Sequence, residues 1–242
     1  MVVQLLFDSH SGVPRPTGTY FSFKLQRPIE KALHSSSQSG SMTTPQRQRR
    51  HREQSQRHLV DATISAIYKH GFHEATAQRI AEEAGLSAGN IHYHFGSKEE
   101  LFAAAMRQLM SDISDTLVSE LGDADTPLAR AHAIIHANLS EPLFSHRNCF
   151  VWLQFWSETA RSEELARLER INARRFHRNL LDALGKLLKR KDAEQIVREL
   201  VAMVDGLWIR KAQNDDAITP EAARDIVFSY LERRLDSLTN GG

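Results

Sequence analysis

The chain of 242 residues has a single cysteine, Cys149, and lacks any apolar run of the length a membrane-spanning helix needs, about 18 residues. One cysteine excludes an intramolecular disulfide and is typical of a reducing, cytoplasmic environment. The 31 Lys and Arg residues nearly balance the 30 Asp and Glu residues, so no overall field of one sign would attract nucleic acid or a membrane. The sequence also has no Gly-rich phosphate loop, no HExxH motif and no nucleophile motif around Cys149. We therefore expect neither an enzyme nor a cofactor.

The first 45 residues differ in composition from the rest of the chain. Residues 13–18 and 35–41 are rich in Pro, Gly and Ser, and no periodic pattern is sustained between them. The apolar stretch Val2 to Phe7 is too short for the core of a signal peptide. The composition predicts a disordered extension over residues 1–45, and Met42 is a candidate for the true start of the protein.

Helical periodicity dominates from about residue 52 onward, and no alternating apolar pattern of strand length occurs. The sequence predicts an all-α fold of about nine helices, with a three-helix unit at 46–98 and a larger helical domain at 99–240. Helix starts are predicted at four capping residues and two prolines. These residues are Thr76, Ser87, Ser97, Ser162, Pro127 and Pro220.

Two short predicted helices separated by Gly85-Leu86-Ser87 have the spacing of a helix–turn–helix. Gly85 permits the positive φ that reverses the chain, while Leu86 and Ile91 anchor the second helix to the core. Side chains left on the outer face of that helix can enter a DNA major groove, where Asn pairs with adenine. These residues are Ser87, Ala88, Asn90, His92 and Tyr93.

The stretches Thr76 to Gly89 and Tyr93 to Leu101 resemble the DNA-binding domain of TetR-family transcriptional regulators. The resemblance, over about residues 52–101, implies that Thr76 and Lys98 contact phosphates and that the helix from Ser87 to His94 reads bases. The family usually has Tyr at the position of His92, so His92, Tyr93 and His94 remain alternative DNA contacts. Helix capping alone is the structural alternative for Thr76 and Ser87.

A basic segment precedes the first clear helix. Residues 45–58 contain five arginines and one glutamate, a local charge of +4. Such a segment is typical of an arm that lies along phosphates or enters the minor groove, and a solubilising tail is the alternative. The arm residues are Arg47, Arg49, Arg50 and Arg52.

Aromatic residues are concentrated in one later helix and near one aspartate. Trp152, Phe155 and Trp156 have the spacing i, i+3 and i+4, and Trp208 follows Asp205 by three residues. Aromatic faces beside a carboxylate bind quaternary ammonium groups. The predicted ligand-binding residues are Phe150, Trp152, Phe155, Trp156, Glu158 and Trp208. An aromatic stripe of this spacing is also typical of plain core.

The segments Trp152 to Ser157, Leu165 to Asn172 and Val204 to Arg210 are similar to the effector domain of BetI-type repressors, which respond to choline. This resemblance implies a choline-like cation as effector. The same type of domain occurs in regulators of other pathways, so a different small-molecule effector stays open.

In the TetR family the last two helices form a four-helix bundle with a second subunit. The resemblance therefore implies a dimer interface in which Gly206 allows close helix approach, while Asp205 and Trp208 belong either to this interface or to the pocket. Apolar area there is expected from Leu200, Val204, Leu207, Ile226, Tyr230 and Leu235. A homodimer also follows from geometry, because two reading helices one turn apart recognise a palindrome.

His132 and His136, with Glu141 nearby, superficially resemble a metal site. Without a recognised motif we expect a solvated helix face and no metal there.

The sequence as a whole predicts a cytoplasmic, ligand-responsive, homodimeric repressor. The rival predictions are a metal-dependent helical enzyme and an interaction module that does not bind DNA. Neither of these would give a sequence-specific band in an electrophoretic mobility shift experiment.

Overall fold

The computed structural model describes residues 44–213 and 218–239 of the chain. These residues form helices and connecting turns, without a strand in either range, which confirms the all-α prediction. The helices are α1 (Thr44–His70), α2 (Ala77–Glu83), α3 (Ala88–Phe95), α4 (Lys98–Leu121), α5 (Pro127–Asn138), α6 (His146–Glu158), α7 (Glu163–Leu184), α8 (Arg190–Ala212) and α9 (Pro220–Thr239). No helix among these residues is long and apolar enough to cross a membrane.

The first helix begins earlier than its apolar stripe indicates. α1 starts at Thr44, so the basic segment is helical rather than an irregular arm. Arg and Gln are good helix formers, and Arg49 pairs with Glu53 one turn later at 2.8 Å. Propensity and local charge pairing therefore extend the helix by about two turns. The rest of the predicted disordered extension, residues 1–43, lies outside the described residues.

Three of the four predicted capping residues are confirmed by their hydrogen bonds. The hydroxyls of Thr76, Ser97 and Ser162 accept the backbone N–H of the residue three positions later, at 3.1 to 3.3 Å. Ser87 also occupies an N-cap position, but its hydroxyl accepts no backbone N–H of α3. It accepts the side-chain amide of Asn90 instead, at 2.9 Å.

α1, α2 and α3 form the head, and α5 to α9 form the larger domain. α4 packs against α1 and α3 on one side and against α5 and α7 on the other. The predicted boundary between residues 98 and 99 falls at the start of this shared helix and stays a prediction. The described residues belong to one compact unit, with an apolar core that runs from Leu59 in α1 to Leu231 in α9.

Cys149 lies in this core, 1% exposed, on α6. Burial raises the pKa of its thiol to about 12. The thiol is therefore protonated and unreactive at neutral pH.

Candidate functional site

The head presents α3 to solvent much as the helix–turn–helix pattern predicts. Ile91 lies on the buried face of α3, and Gly85 adopts a φ of +66° in the turn that precedes the helix. His92 and Tyr93 are exposed, Tyr93 by 71%. Among the three alternative DNA contacts, these two therefore offer the most surface.

His94 and Asn90 are less available than predicted. His94 is half-buried, and burial lowers its pKa, with Arg52 and His51 adding to the effect. The Asn90 amide is engaged with the Ser87 hydroxyl and carbonyl. Pairing of Asn90 with a base would require it to leave these partners.

The expected phosphate contacts lie at helix N-termini, where backbone N–H groups favour anions. Thr76 caps α2 and Lys98 opens α4. The ammonium of Lys98 lies 5.1 Å from the centre of the Phe102 ring one turn later, so part of its side chain packs along α4. Capping by Thr76 is confirmed, and its contact with phosphate stays a prediction.

The arginines of the basic segment are exposed along the first turns of α1. We call this part of α1, residues 45–58, the basic turns. The exposed arginines are Arg47, Arg49, Arg50 and Arg52. The expected irregular arm is instead a regular helix, and its contact with DNA stays a prediction.

The aromatic residues of α6 divide between two faces of the helix. Trp152 and Trp156 face the interior of the larger domain, with ring centres 6.2 Å apart. Trp152 also packs edge-on against Trp208 of α8, at 6.2 Å. Trp208 is 4% exposed and donates its indole N–H to the Asn138 carbonyl at 3.0 Å. Trp152 and Trp208 are thus core residues beside Trp156.

Three of the predicted ligand-binding residues lie on the other face of α6, against the head. Phe155 packs on Phe72, with ring centres 5.7 Å apart, and Phe150 packs on Tyr68 at 5.9 Å. The Glu158 carboxylate is buried and lies 3.2 Å from the imidazole of His73. The role of Phe150, Phe155 and Glu158 in ligand binding stays a prediction. They form the junction between the larger domain and the head.

Two carboxylates lie near Trp156. Among the described residues, Oε2 of Glu169 and Nε1 of Trp156 are both buried without a hydrogen-bond partner. Burial raises the pKa of Glu169 to about 7, with the indole of Trp156 opposing the shift and the charge of Asp205 adding to it. The Trp156 N–H thus lies close to the carboxylate without normal hydrogen-bond geometry.

Asp205 is exposed to solvent, yet burial raises its pKa to about 6. Its charge acts on Glu169, so the two carboxylates lie near each other. We call Trp156, Glu169 and Asp205 the cation cluster. Glu169 was not among the predicted site residues, although its position, four residues after buried Leu165 on an apolar helix face, is a signal that could have found it.

α6 connects the cation cluster to the head. On the head side of α6, the Gln154 side-chain carbonyl accepts the backbone N–H of Phe72 at 3.1 Å. Phe72 follows Gly71, whose φ of +81° ends α1. The hydrogen bond between Gln154 and Phe72 therefore joins α6 to the end of α1.

We expect Gln154→Leu to uncouple the two faces. The variant keeps the side-chain volume but removes the acceptor for Phe72 N–H, and a net hydrogen bond contributes about 0.5 to 1.5 kcal/mol. For the effector and the operator DNA that the sequence predicts, effector affinity of the free protein should stay within about twofold, while the factor by which DNA weakens effector binding should fall about threefold or more. Isothermal titration with and without DNA measures this factor. Gln108→Leu, an exposed site on α4, is the matched control, and equal factors in both variants would contradict the role of Gln154.

The predicted dimer surface stays a prediction. Leu200, Val204 and Leu207 are 0%, 3% and 8% exposed within one subunit, so they offer a partner little apolar area. Ile226 is 44% exposed, and a side chain at Gly206 would meet no atom within 4 Å. Tyr230 and Leu235 are half-buried, and Tyr230 donates its hydroxyl to Glu199. Trp208 is excluded from this surface by its burial, while Asp205 is exposed and stays open to either role.

The histidines of α5 form no metal site in the described part of the chain, where no group of three or more potential ligands occurs. His136 lies 3.2 Å from Glu120, and the His132 ring lies 4.6 Å from that of Phe228. These are packing and surface contacts.

The exposed recognition helix of the head and the larger helical domain together define a helix–turn–helix DNA-binding protein with a helical effector domain.

Comparison with known proteins agrees with this class. Residues 59–105 match the family model of bacterial regulatory proteins of the tetR family, and residues 127–236 match the C-terminal domain of BetI-type transcriptional repressors. The chain belongs to the TetR family of transcriptional regulators, with a C-terminal domain of the BetI type.

Similar proteins include the HTH-type transcriptional regulator BetI 2 of Chromohalobacter salexigens, 36% identical over 73% of this chain and 86% of that protein. The regulator BetI of Brucella anthropi is 38% identical over 74% of this chain and 92% of that protein. A solved structure described as a transcriptional regulator from Pseudomonas aeruginosa PAO1 has a TM-score of 0.68 and 26% identity, covering 76% of this chain and 91% of its own. A regulator structure from Saccharomonospora viridis, in complex with choline, has a TM-score of 0.67 and 24% identity over 74% and 96%.

Proposed function

We propose that this regulator is a cytoplasmic homodimer that represses transcription from a palindromic operator and leaves it on binding a quaternary ammonium effector. The observation that carries the proposal is the position of α6, with the cation cluster on one face and the head junction on the other. An effector can release DNA only if it binds the released conformation more tightly. Coupling through α6 would supply that difference.

The chemistry of the cation cluster supports a quaternary ammonium group. Trp156 offers an aromatic face, on which a desolvated cation gains about 2 kcal/mol. Glu169 and Asp205 add negative charge in a partly buried setting, where attraction is stronger than in water. Choline in the Saccharomonospora viridis structure of the same fold is compatible with this class of ligand.

A homodimer is supported by the exposed surface of α8 and α9. Ala202 and Gly206 are small residues one turn apart on α8, and Ile226 is an exposed apolar residue on α9. Small residues permit close helix approach, and Ile226 supplies apolar area. One α3 helix of eight residues contacts few base pairs, so two heads are needed for a palindromic site.

Three measurements test the proposal. Selection from a random duplex library should recover a palindrome, and ultracentrifugation should find a dimer. Choline chloride should lower the affinity of the protein for the recovered duplex, and the duplex should lower choline affinity by the same factor. The neutral analogue 3,3-dimethylbutan-1-ol, which has carbon in place of nitrogen, should have little effect. No enriched duplex would exclude operator binding, while equal effects of the two compounds would exclude a cation site.

We expect the basic turns of α1 to act on all DNA sequences alike. Changing Arg47, Arg49 and Arg50 to Gln should weaken binding to specific and scrambled duplexes equally. It should also reduce the slope of log K against log salt by up to about 0.9 for each lost phosphate contact. Fluorescence anisotropy at several salt concentrations measures both quantities. The triple change of Lys186, Lys189 and Lys191 to Gln, between α7 and α8, removes equal charge away from the head. If both triple variants kept the wild-type slope, the basic turns would not contact DNA.

A further inference from the structure

The recognition helix α3 is held to the head by little of its own surface. Ile91 is the single residue of Ala88–Phe95 that is buried. Phe95 is partly buried at the C-terminal end, and Gly96 follows with a φ of +80°. An eight-residue helix with one buried anchor needs further contacts to keep a fixed orientation.

Two residues of the basic turns of α1 supply such contacts. The side-chain amide of Gln56 donates to the backbone carbonyl of His94 at 3.4 Å. That carbonyl belongs to the last turn of α3, where carbonyls have no partner within the helix. The guanidinium of Arg52 lies 6.0 Å from the centre of the Tyr93 ring. Arg52 and Gln56 are four residues apart and therefore share one face of α1.

Both contacts act where the helix needs them. A cation near a helix C-terminus is stabilised by the helix dipole, and Arg52 is held there by α1. Tyr93 is 71% exposed, and its ring also packs edge-on against that of His94, at 4.8 Å between ring centres. Arg52 and Gln56 both precede residues 59–105, the part of the head that the family model matches.

We propose that Arg52 and Gln56 are positioning residues that hold the C-terminal turn of α3 and the Tyr93 ring in the orientation that reads bases. This inference rests on the proposed operator binding. It assigns Arg52 a role different from that of Arg47, Arg49 and Arg50, because Arg52 acts through Tyr93 rather than through phosphate alone.

The first test is a double-mutant cycle on sequence discrimination. The measured quantity is the ratio of affinities for the duplex that the wild-type protein selects and for a scrambled duplex of equal composition. Arg52→Ala should lower this ratio about two- to fivefold per subunit, the usual range for an exposed cation–π contact. Because both heads of a dimer lose the contact, the total loss should be about four- to twenty-five-fold. In a Tyr93→Ala background, Arg52→Ala should leave the ratio unchanged.

Two further variants separate positioning from charge. Arg50→Ala, the matched control, should lower affinity for both duplexes equally and keep the ratio. Arg52→Lys keeps the charge but loses the planar group, so it should retain affinity for the scrambled duplex and recover the ratio only in part. If Arg52→Ala behaved as Arg50→Ala does, or had the same effect with and without Tyr93, the proposal would be overturned.

The second test needs no DNA. The amide of Gly96 donates to the His92 carbonyl at 2.9 Å, so its hydrogen exchange reports opening of the last turn of α3. Gln56→Leu should speed this exchange about two- to tenfold, as expected for loss of one hydrogen bond. Gln54→Leu, an exposed site on the same helix, should not change it. Equal exchange in the two variants would overturn the role of Gln56. If selection recovered no duplex, the proposed operator binding would be contradicted. The exchange rates would still decide whether the contact from Gln56 of α1 stabilises the last turn of α3.

Discussion

Replacing Glu169 with Gln is expected to weaken choline binding about ten- to hundredfold at pH 8. The change keeps the size of the side chain but removes a charge that is buried beside Trp156, where coulombic attraction to a cation exceeds the roughly 1 kcal/mol that it contributes in water. Asp205→Asn should act in the same direction. Isothermal titration of the variants with choline chloride measures the loss.

The same titrations should show a pH dependence with a defined sign. Glu169 has a pKa raised to about 7 and Asp205 a pKa raised to about 6, so lowering the pH protonates both carboxylates. Since the cation prefers the ionised forms, wild-type affinity should rise from pH 6 to pH 8 and then level off. One pH unit below its pKa, about a tenth of Glu169 is ionised, which predicts a change of about tenfold. Glu169→Gln should lose most of this dependence.

Thermal stability gives an independent measure of the same linkage. The folded pKa values of both carboxylates lie above their unfolded values. The contribution of these groups to stability therefore falls as the pH rises from the unfolded pKa to the folded pKa of each group. A bound cation removes this cost, so choline should raise the melting temperature more at pH 8 than at pH 6. Asp182→Asn, an exposed site on α7, is the control. A Glu169→Gln protein with wild-type affinity and pH profile would place the effector elsewhere.

Trp208→Ala is expected to lower the free energy of unfolding by about 3 to 5 kcal/mol. The indole is 4% exposed, and its loss also leaves the Asn138 carbonyl without its donor. This is a large part of the roughly 5 to 15 kcal/mol that stabilises an ordinary domain. Urea denaturation followed by circular dichroism measures the change.

Trp156→Ala is the informative partner of that variant. Trp156 is half-buried and its indole N–H has no hydrogen-bond partner among the described residues, so its removal should cost less than about 2 kcal/mol. It should weaken the choline response while leaving operator affinity nearly unchanged. Equal losses of stability for the two tryptophans would show that Trp156 is also an ordinary core residue.

The fold could be predicted from the sequence because its signals are local. Capping hydroxyls at Thr76, Ser97 and Ser162 and the positive φ at Gly85 depend on neighbouring residues alone. The early start of α1 was missed because its first turns have no apolar stripe. The helix propensity of Arg and Gln and the Arg49–Glu53 ion pair, rather than burial, hold them helical.

The site was harder to predict because it depends on which neighbour each helix face meets. Spacing placed Phe155 beside Trp156, but the 100° turn between successive residues directs them to different sides of α6. Leu200 and Val204 have the pattern of an apolar face, which is the same for a subunit core and an interface. Glu169 was missed because α7 carries many charged residues, and its position four residues after Leu165 on the apolar face is the single local sign of its burial.

The buried state of Cys149 makes the chain convenient for site-directed labelling. With its thiol 1% exposed and its pKa at about 12, a maleimide or methanethiosulfonate reagent should leave Cys149 untouched at neutral pH. A second cysteine introduced on the outer face of α2, such as Gln78→Cys, would then take a spin label alone. In a dimer, the distance between two such labels reports the separation of the heads. This distance can be measured spectroscopically as ligand is added, with the native cysteine left in place.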